Sequence, residues 1–185
     1  MRAMLLLTIL SSCLFVFSSA KICGDSEGAW AIGFVYGKDP FHMHAPNRNH
    51  NDTYPCVRNP IFDCNAVTDV VASFVADPFM YLPNGTHGKW YAFFEVKNTD
   101  GSLRRRHGQI GCAVSEDKGH TWKYLQIVLK MPFHLAYPHV FEYKNEVYMI
   151  SDGWSNLQMY KATNFPLQWT KLKDLHKLHY IDPTI

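Results

Sequence analysis

The sequence is poor in charge. Asp, Glu, Lys and Arg make up only 18% of its 185 residues, and the formal net charge is +2. That balance is too mild for a nucleic-acid surface, which carries a strong basic excess. The single basic cluster, Arg104-Arg105-Arg106, follows Asp100-Gly101 and reads as a solvated turn. Helical periodicity is lacking as well: no segment of useful length repeats its apolar residues every three or four positions. Cys-x-x-Cys pairs are missing, so the spacing carries no zinc signature, and neither a metal nor a cofactor is expected. No stretch after the first twenty residues reaches the length of about 20 apolar residues that a bilayer span needs.

The N-terminus has its own pattern. Met1-Arg2, an apolar run from Leu5 to Phe17 and the small residues Ser18-Ser19-Ala20 form a secretory signal peptide over residues 1–20. The remaining 21–185 are then expected in the secretory pathway, in the Golgi lumen or outside the cell, with no membrane span after cleavage. Two N-glycosylation sequons begin at Asn51 and Asn84. Cys13 leaves with the signal peptide, so Cys23, Cys56, Cys64 and Cys112 allow three pairings. Cys56–Cys64, clipping the short loop Val57 to Asp63, is the expected bridge; Cys112 lies in an apolar strand and fits as core.

Aromatic residues, at 15%, are plentiful, and they recur in an order. Phe74 to Met80 and Lys89 to Glu95 read as two short strands joined by the loop Leu82 to Gly88. A second copy follows in Leu135 to Phe141 and Glu146 to Ile150, and a third opens with Tyr180-Ile181-Asp182-Pro183. Multi-stranded repeats of about 40–50 residues mark propeller blades. The first unit is expected to hold strands Phe74–Tyr81, Trp90–Val96, Gln109–Ser115 and Trp122–Val128. The second is expected to hold Tyr137–Tyr143, Glu146–Ile150, Leu157–Ala162 and Trp169–Leu172. An earlier strand is expected over Trp30–Tyr36, followed by an extended polar loop over 42–65 whose His42, His44 and His50 read as surface residues. Ser115-Glu116-Asp117-Lys118-Gly119-His120-Thr121-Trp122 resembles the Asp-box of sialidase-type propellers, a fold element remote from the active sites there. Pro166-Leu167-Gln168-Trp169 takes its place in the second unit.

A wider resemblance rests on an ordered set of motifs: Trp30 to Gly37, Asn59-Pro60-Ile61, Val67 to Val70, Phe74 to Met80, Phe93-Phe94-Glu95, Gly108 to Gly111, Ser115 to Trp122, and Phe133 to Pro138. Together they resemble the N-terminal domain of plant glucosamine inositolphosphorylceramide transferases and their bacterial relatives. The resemblance covers about Trp30 to Ile185 and implies a five-bladed propeller related to family 43 glycoside hydrolases. The fold expected is therefore all-β, a partial propeller of about two blades plus an N-terminal strand and the start of a third. The sequence departs from the family after Ile150, where Ser151-Asp152 stands in place of Pro-Glu.

The first strand of each propeller blade lines the axis, so Asp77, Tyr137 or His139, and Asp182 are expected to converge. By resemblance to family 43, Asp77 matches the general base and Asp182 the carboxylate that tunes the acid; no residue here matches the acid Glu. Glu95, closing an apolar strand, is expected in a polar pocket, because a lone buried carboxylate is costly. Glu95, His134 and His139 are the expected substrate-binding residues, while Asp152-Gly153 reads as a turn. The expected partner is a glycan or glycolipid, together with further blades or a downstream domain. The segment is expected to bind or position glycan without catalysing by itself. Two other readings stay open: part of a family 43-like glycoside hydrolase, or a secreted interaction module.

Overall fold

The computed structural model describes residues 22–44, 59–99, 107–153, 156–178 and 180–185. The expected signal peptide, the Asn51 sequon and Cys56 lie outside them. Among the described residues eleven strands are formed, in the order β1 (Tyr36–Gly37), β2 (Met43–His44), β3 (Ala72–Tyr81), β4 (Pro83–Thr86), β5 (Trp90–Asn98), β6 (His107–Ser115), β7 (Lys123–Leu129), β8 (Leu135–Tyr143), β9 (Glu146–Gly153), β10 (Leu157–Asn164) and β11 (Gln168–His176). Two four-stranded antiparallel sheets dominate, ordered β3-β5-β6-β7 and β8-β9-β10-β11. Each runs outward in chain order, and β8 packs against β3, β5 and β6 of the preceding sheet. This is the all-β, blade-after-blade architecture expected of the repeats.

Alternation along β5 explains how the sheets stack. Successive side chains point to opposite faces of a strand. Phe93 enters the core between the two sheets, with Ile110, Leu135, Val140 and Met149. Phe94 enters a second core on the other face, with Ile32, Phe62, Val75 and Val96. Both rings are fully buried, each contributing about 1.5–3 kcal/mol relative to exposure. Phe165 seals the inter-sheet core, edge-on to Tyr81 at 5.5 Å and to Tyr91 at 4.8 Å.

The Asp-box turn closes β6 onto β7. Asp117 Oδ1 accepts from Ser115 Oγ and from the Thr121 N–H, both at 2.8 Å, and Asp117 Oδ2 accepts from Thr121 Oγ1 at 2.6 Å. These donors favour the charged form and hold Asp117 down at about 2. Gly119, at φ +87°, makes the left-handed step, and a Cβ there would sit 3.0 Å from the Trp90 ring. Trp122 Nε1 donates to Gly119 O at 3.2 Å, and Trp169 Nε1 donates to Pro166 O at 2.8 Å. Both indoles thus cap a carbonyl three residues back, which makes the two turns counterparts despite their different sequences.

Three expectations are corrected. Cys64 pairs with Cys23 across 41 residues, not with Cys56. The reason is tertiary: Gly24 N–H donates to Ser73 O at 2.7 Å, drawing the N-terminal segment alongside β3 and Cys23 onto the short 3-10 turn Cys64–Ala66. Residues Trp30–Tyr36 form no continuous strand. Ile32 alone bridges to Phe62, and Phe34 is held by the Asn59 side chain, whose Oδ1 accepts from Phe34 N–H at 2.9 Å. A side-chain clamp replaces the ladder there, and Phe34 stacks on Trp122 at 5.3 Å. The loop expected between β3 and β5 contains the short strand β4, in which Asn84 is exposed.

Candidate functional site

The site forms where both inner strands break register in the same way. In β3, Ala76 pairs with Glu95 and Phe79 with Phe93, leaving Asp77-Pro78 opposite Phe94 alone. In β8, Ala136 pairs with Asp152 and His139 with Ile150, leaving Tyr137-Pro138 opposite Ser151. Each is a β-bulge, one extra residue that bends the strand and re-aims a side chain. Proline suits the position because it has no N–H to lose from the ladder. The residue before each proline lies in the left-handed region: Asp77 at φ 49°, Tyr137 at φ 48°, and Asp182, before Pro183, at φ 50°. Three successive repeats therefore open with one unusual backbone step.

That step brings the carboxylates within electrostatic reach of one another. Burial raises the pKa of Asp77, the Asp182 and Asp152 charges raise it further, and the Tyr137 backbone N–H, which Asp77 accepts, pulls the other way. Glu95 is buried in the sheet interface and pushed up to about 8, first by burial and then by the Asp77 charge. Asp152, expected in a turn, is a buried β9 residue at the register position in its sheet that Glu95 holds in the first. Aligning Phe94-Glu95 with Ser151-Asp152 as repeat counterparts is the signal that would have found it. Asp182 is exposed beside this group.

The two histidines separate. His134 sits against the site: its Nδ1 accepts from Gly108 N–H at 3.0 Å, and its Nε2 lies 3.8 Å from Glu95 Oε1. His139 lies one step past the bulge, its ring 4.8 Å from Phe79, and burial lowers its pKa, so it is neutral at physiological pH. A cleft of about 40 Å³ lies between Asp77, Pro78, Phe79, Tyr137 and Pro138, with Asp77 as its acidic wall. Asp77 and Pro78 also line a cavity of about 260 Å³ with Trp30, Ile32, Val75 and Ala76. Among the described residues, no group of three or more His, Cys, Asp or Glu is placed to hold a metal ion.

Comparison with known proteins places the chain in a family. Residues 23–185 match the family described as glucosamine inositolphosphorylceramide transferase 1, N-terminal. The chain belongs to that family. Glucosamine inositolphosphorylceramide transferase 1 of Oryza sativa subsp. indica is 40% identical over 169 residues, covering 87% of this chain and 22% of the relative. The protein of the same name from Arabidopsis thaliana is 39% identical over 180 residues, covering 92% of this chain. The chain thus spans 22% of the length of these curated relatives. A family 117 glycoside hydrolase from Zobellia galactanivorans superposes with a TM-score of 0.42 at 18% identity, over 54% of this chain and 37% of the hydrolase.

Proposed function

We propose that this member of the transferase N-terminal family binds the sugar headgroup of a glycolipid at the bulge carboxylates and positions it, without catalysing by itself. The observation that carries the reading is the matched register of Glu95 and Asp152, each beside a pre-proline bulge, with Asp77 and Asp182 adjoining. Carboxylates of this kind accept from sugar hydroxyls, and hydrogen bonds to a charged acceptor contribute about 1.5–3 kcal/mol each. Phe79 and Tyr137 supply apolar walls to the cleft. The names of the relatives supply the ligand class, an inositolphosphorylceramide bearing a sugar. In this reading the chain enters the secretory pathway and carries glycan at Asn51 and the exposed Asn84.

The test is flotation of the full chain with phosphatidylcholine vesicles, with and without a glycosylated inositolphosphorylceramide. The reading predicts capture by the glycolipid vesicles alone. Equal capture by both, or by neither, contradicts it.

A further inference from the structure

The cleft beside Tyr137, at about 40 Å³, holds a water or a single hydroxyl group, since one water needs about 10–15 Å³ of such space. A sugar ring does not fit there. The neighbouring cavity of about 260 Å³ has room for one, and Asp77 and Pro78 line both spaces. One wall of the larger cavity is β3, from Val75 to Pro78, and the other is the N-terminal segment, led by Trp30 and Ile32. Trp30 is 60% exposed, a large apolar surface left open beside a carboxylate. Its indole is nonetheless fixed. Nε1 donates to Glu27 O at 3.0 Å, and a Cβ on Gly28 would lie 3.1 Å from that nitrogen, so the polar edge rests on the Asp25–Gly28 turn. Val75 N–H donates to Trp30 O at 3.4 Å, tying the backbone to β3, and Ile32 bridges to Phe62. With its one donor engaged, the indole offers carbon surface, set in place before a ligand arrives.

We propose that the Trp30–Asp77 cavity is the seat of the sugar ring: a C–H face of the ring stacks on the Trp30 indole, and a hydroxyl at its rim donates to the Asp77 carboxylate. The assignment rests on the glycan reading above and deepens it, by placing the ring and naming the residue it stacks on. A sugar ring is apolar across its C–H face and polar around its rim. The cavity presents the matching pair of surfaces, an aromatic wall and an acceptor at the edge. The smaller cleft, which shares Asp77, then takes one further hydroxyl or a bridging water. Stacking also selects among sugars. A ring whose hydroxyls lie in its plane meets the indole closely, whereas an axial hydroxyl on the stacked face holds it off. No bond is made or broken.

Two probes are titrated into the full chain and its W30F and W30L variants: phosphatidylcholine vesicles containing a glycosylated inositolphosphorylceramide, and the water-soluble glycosyl inositol phosphate headgroup freed of its ceramide. Both variants keep an apolar side chain and both lose the bond to Glu27 O, so any effect of that bond on the fold is shared and appears as an equal change in Tm. Phenylalanine keeps a flat face and leucine does not. W30F should bind within about twofold of wild type, and W30L should lose about three- to tenfold, the worth of an aromatic contact beyond its area. W30L binding as tightly as W30F overturns the proposal, and so does W30F binding as weakly as W30L. The headgroup alone should rank the three proteins in the same order as the vesicles. A ranking seen on vesicles and lost with the headgroup would set Trp30 against lipid, where tryptophan is also at home, and overturn the assignment while leaving the glycan reading standing. Wild type that binds neither probe contradicts the glycan reading itself and takes this assignment with it.

Discussion

Glu95 and Asp152 are counterparts: each is the β-partner of the residue just before a pre-proline bulge, Glu95 of Ala76 and Asp152 of Ala136. The equivalence places an acidic side chain on the second strand of each sheet, beside the step that turns Asp77 and Tyr137 inward. Burying these carboxylates near one another costs stability, and that cost should be measurable.

The first prediction follows from Glu95. Its ordinary value is 4.5 and its folded value is about 8. Between these values the folded state holds a proton that the unfolded state has released, so stability falls as pH rises and the loss is complete above about 8. The full effect is on the order of 3–5 kcal/mol. E95Q removes it, so the variant should melt above wild type near pH 8 and show a flatter dependence of Tm on pH from about 5 to 8.

A second prediction concerns Gly108. A Cβ there would collide with Leu135 O, a backbone atom that cannot step aside, and with Glu95 Oε1 at 2.5 Å. G108A should therefore cost about 1–3 kcal/mol by overpacking. Urea unfolding measures it, and an unchanged midpoint would mean that β6 and β8 are less tightly apposed.

A third concerns the disulfide. Bridging 41 residues between Cys23 and Cys64 restricts the unfolded chain by about 3–4 kcal/mol. The C23S/C64S double variant should lose stability of that order. Non-reduced peptide mapping should yield a linked Cys23–Cys64 peptide, and a Cys56–Cys64 peptide would contradict the fold of the N-terminal segment.

A fourth concerns the Asp-box turn. Asp117 is held at about 2, below its ordinary 3.8, by hydrogen bonds from Thr121 and Ser115. Its contribution is present above the ordinary value and lost as pH falls through about 2. D117A should lower Tm at neutral pH, with the difference from wild type narrowing as the pH approaches 2.

Much of this fold was legible because local signals agreed. The aromatic-rich runs and their repeat spacing located all eight long strands, and the Asp-Pro and Tyr-Pro steps marked where each repeat opens; the bulges there needed the pairing of β3 with β5 and of β8 with β9. The Ser115 to Trp122 turn was legible because the hydrogen bonds of Asp117 that shape it run to Ser115 and Thr121 within it. Asp152 was missed because an acid before glycine ordinarily marks a turn, and only its non-local pairing with Ala136 makes it a buried strand residue. The disulfide was missed for a similar reason, since a short interval between cysteines says nothing of a backbone bond from Gly24 to Ser73. The Trp30–Tyr36 segment has strand composition, but the partner of Phe34 is an asparagine side chain, which composition does not encode. Glu95 was expected in a polar pocket; the structure buries it, and its raised pKa depends on neighbours brought in from β3 and β9.

The central claim is that Asp77 contacts the ligand. D77N keeps the side-chain oxygen that accepts from Tyr137 N–H and removes a partly buried charge, so the fold should not suffer. The deciding measurement is isothermal titration of glycolipid vesicles into wild type, D77N and the surface control E116Q, whose native residue pairs with Lys89 at the protein surface. D77N should weaken binding by about tenfold or more, the worth of a charge-assisted hydrogen bond, at a Tm no lower than wild type, while E116Q binds like wild type. Equal affinity of D77N and wild type would contradict the account.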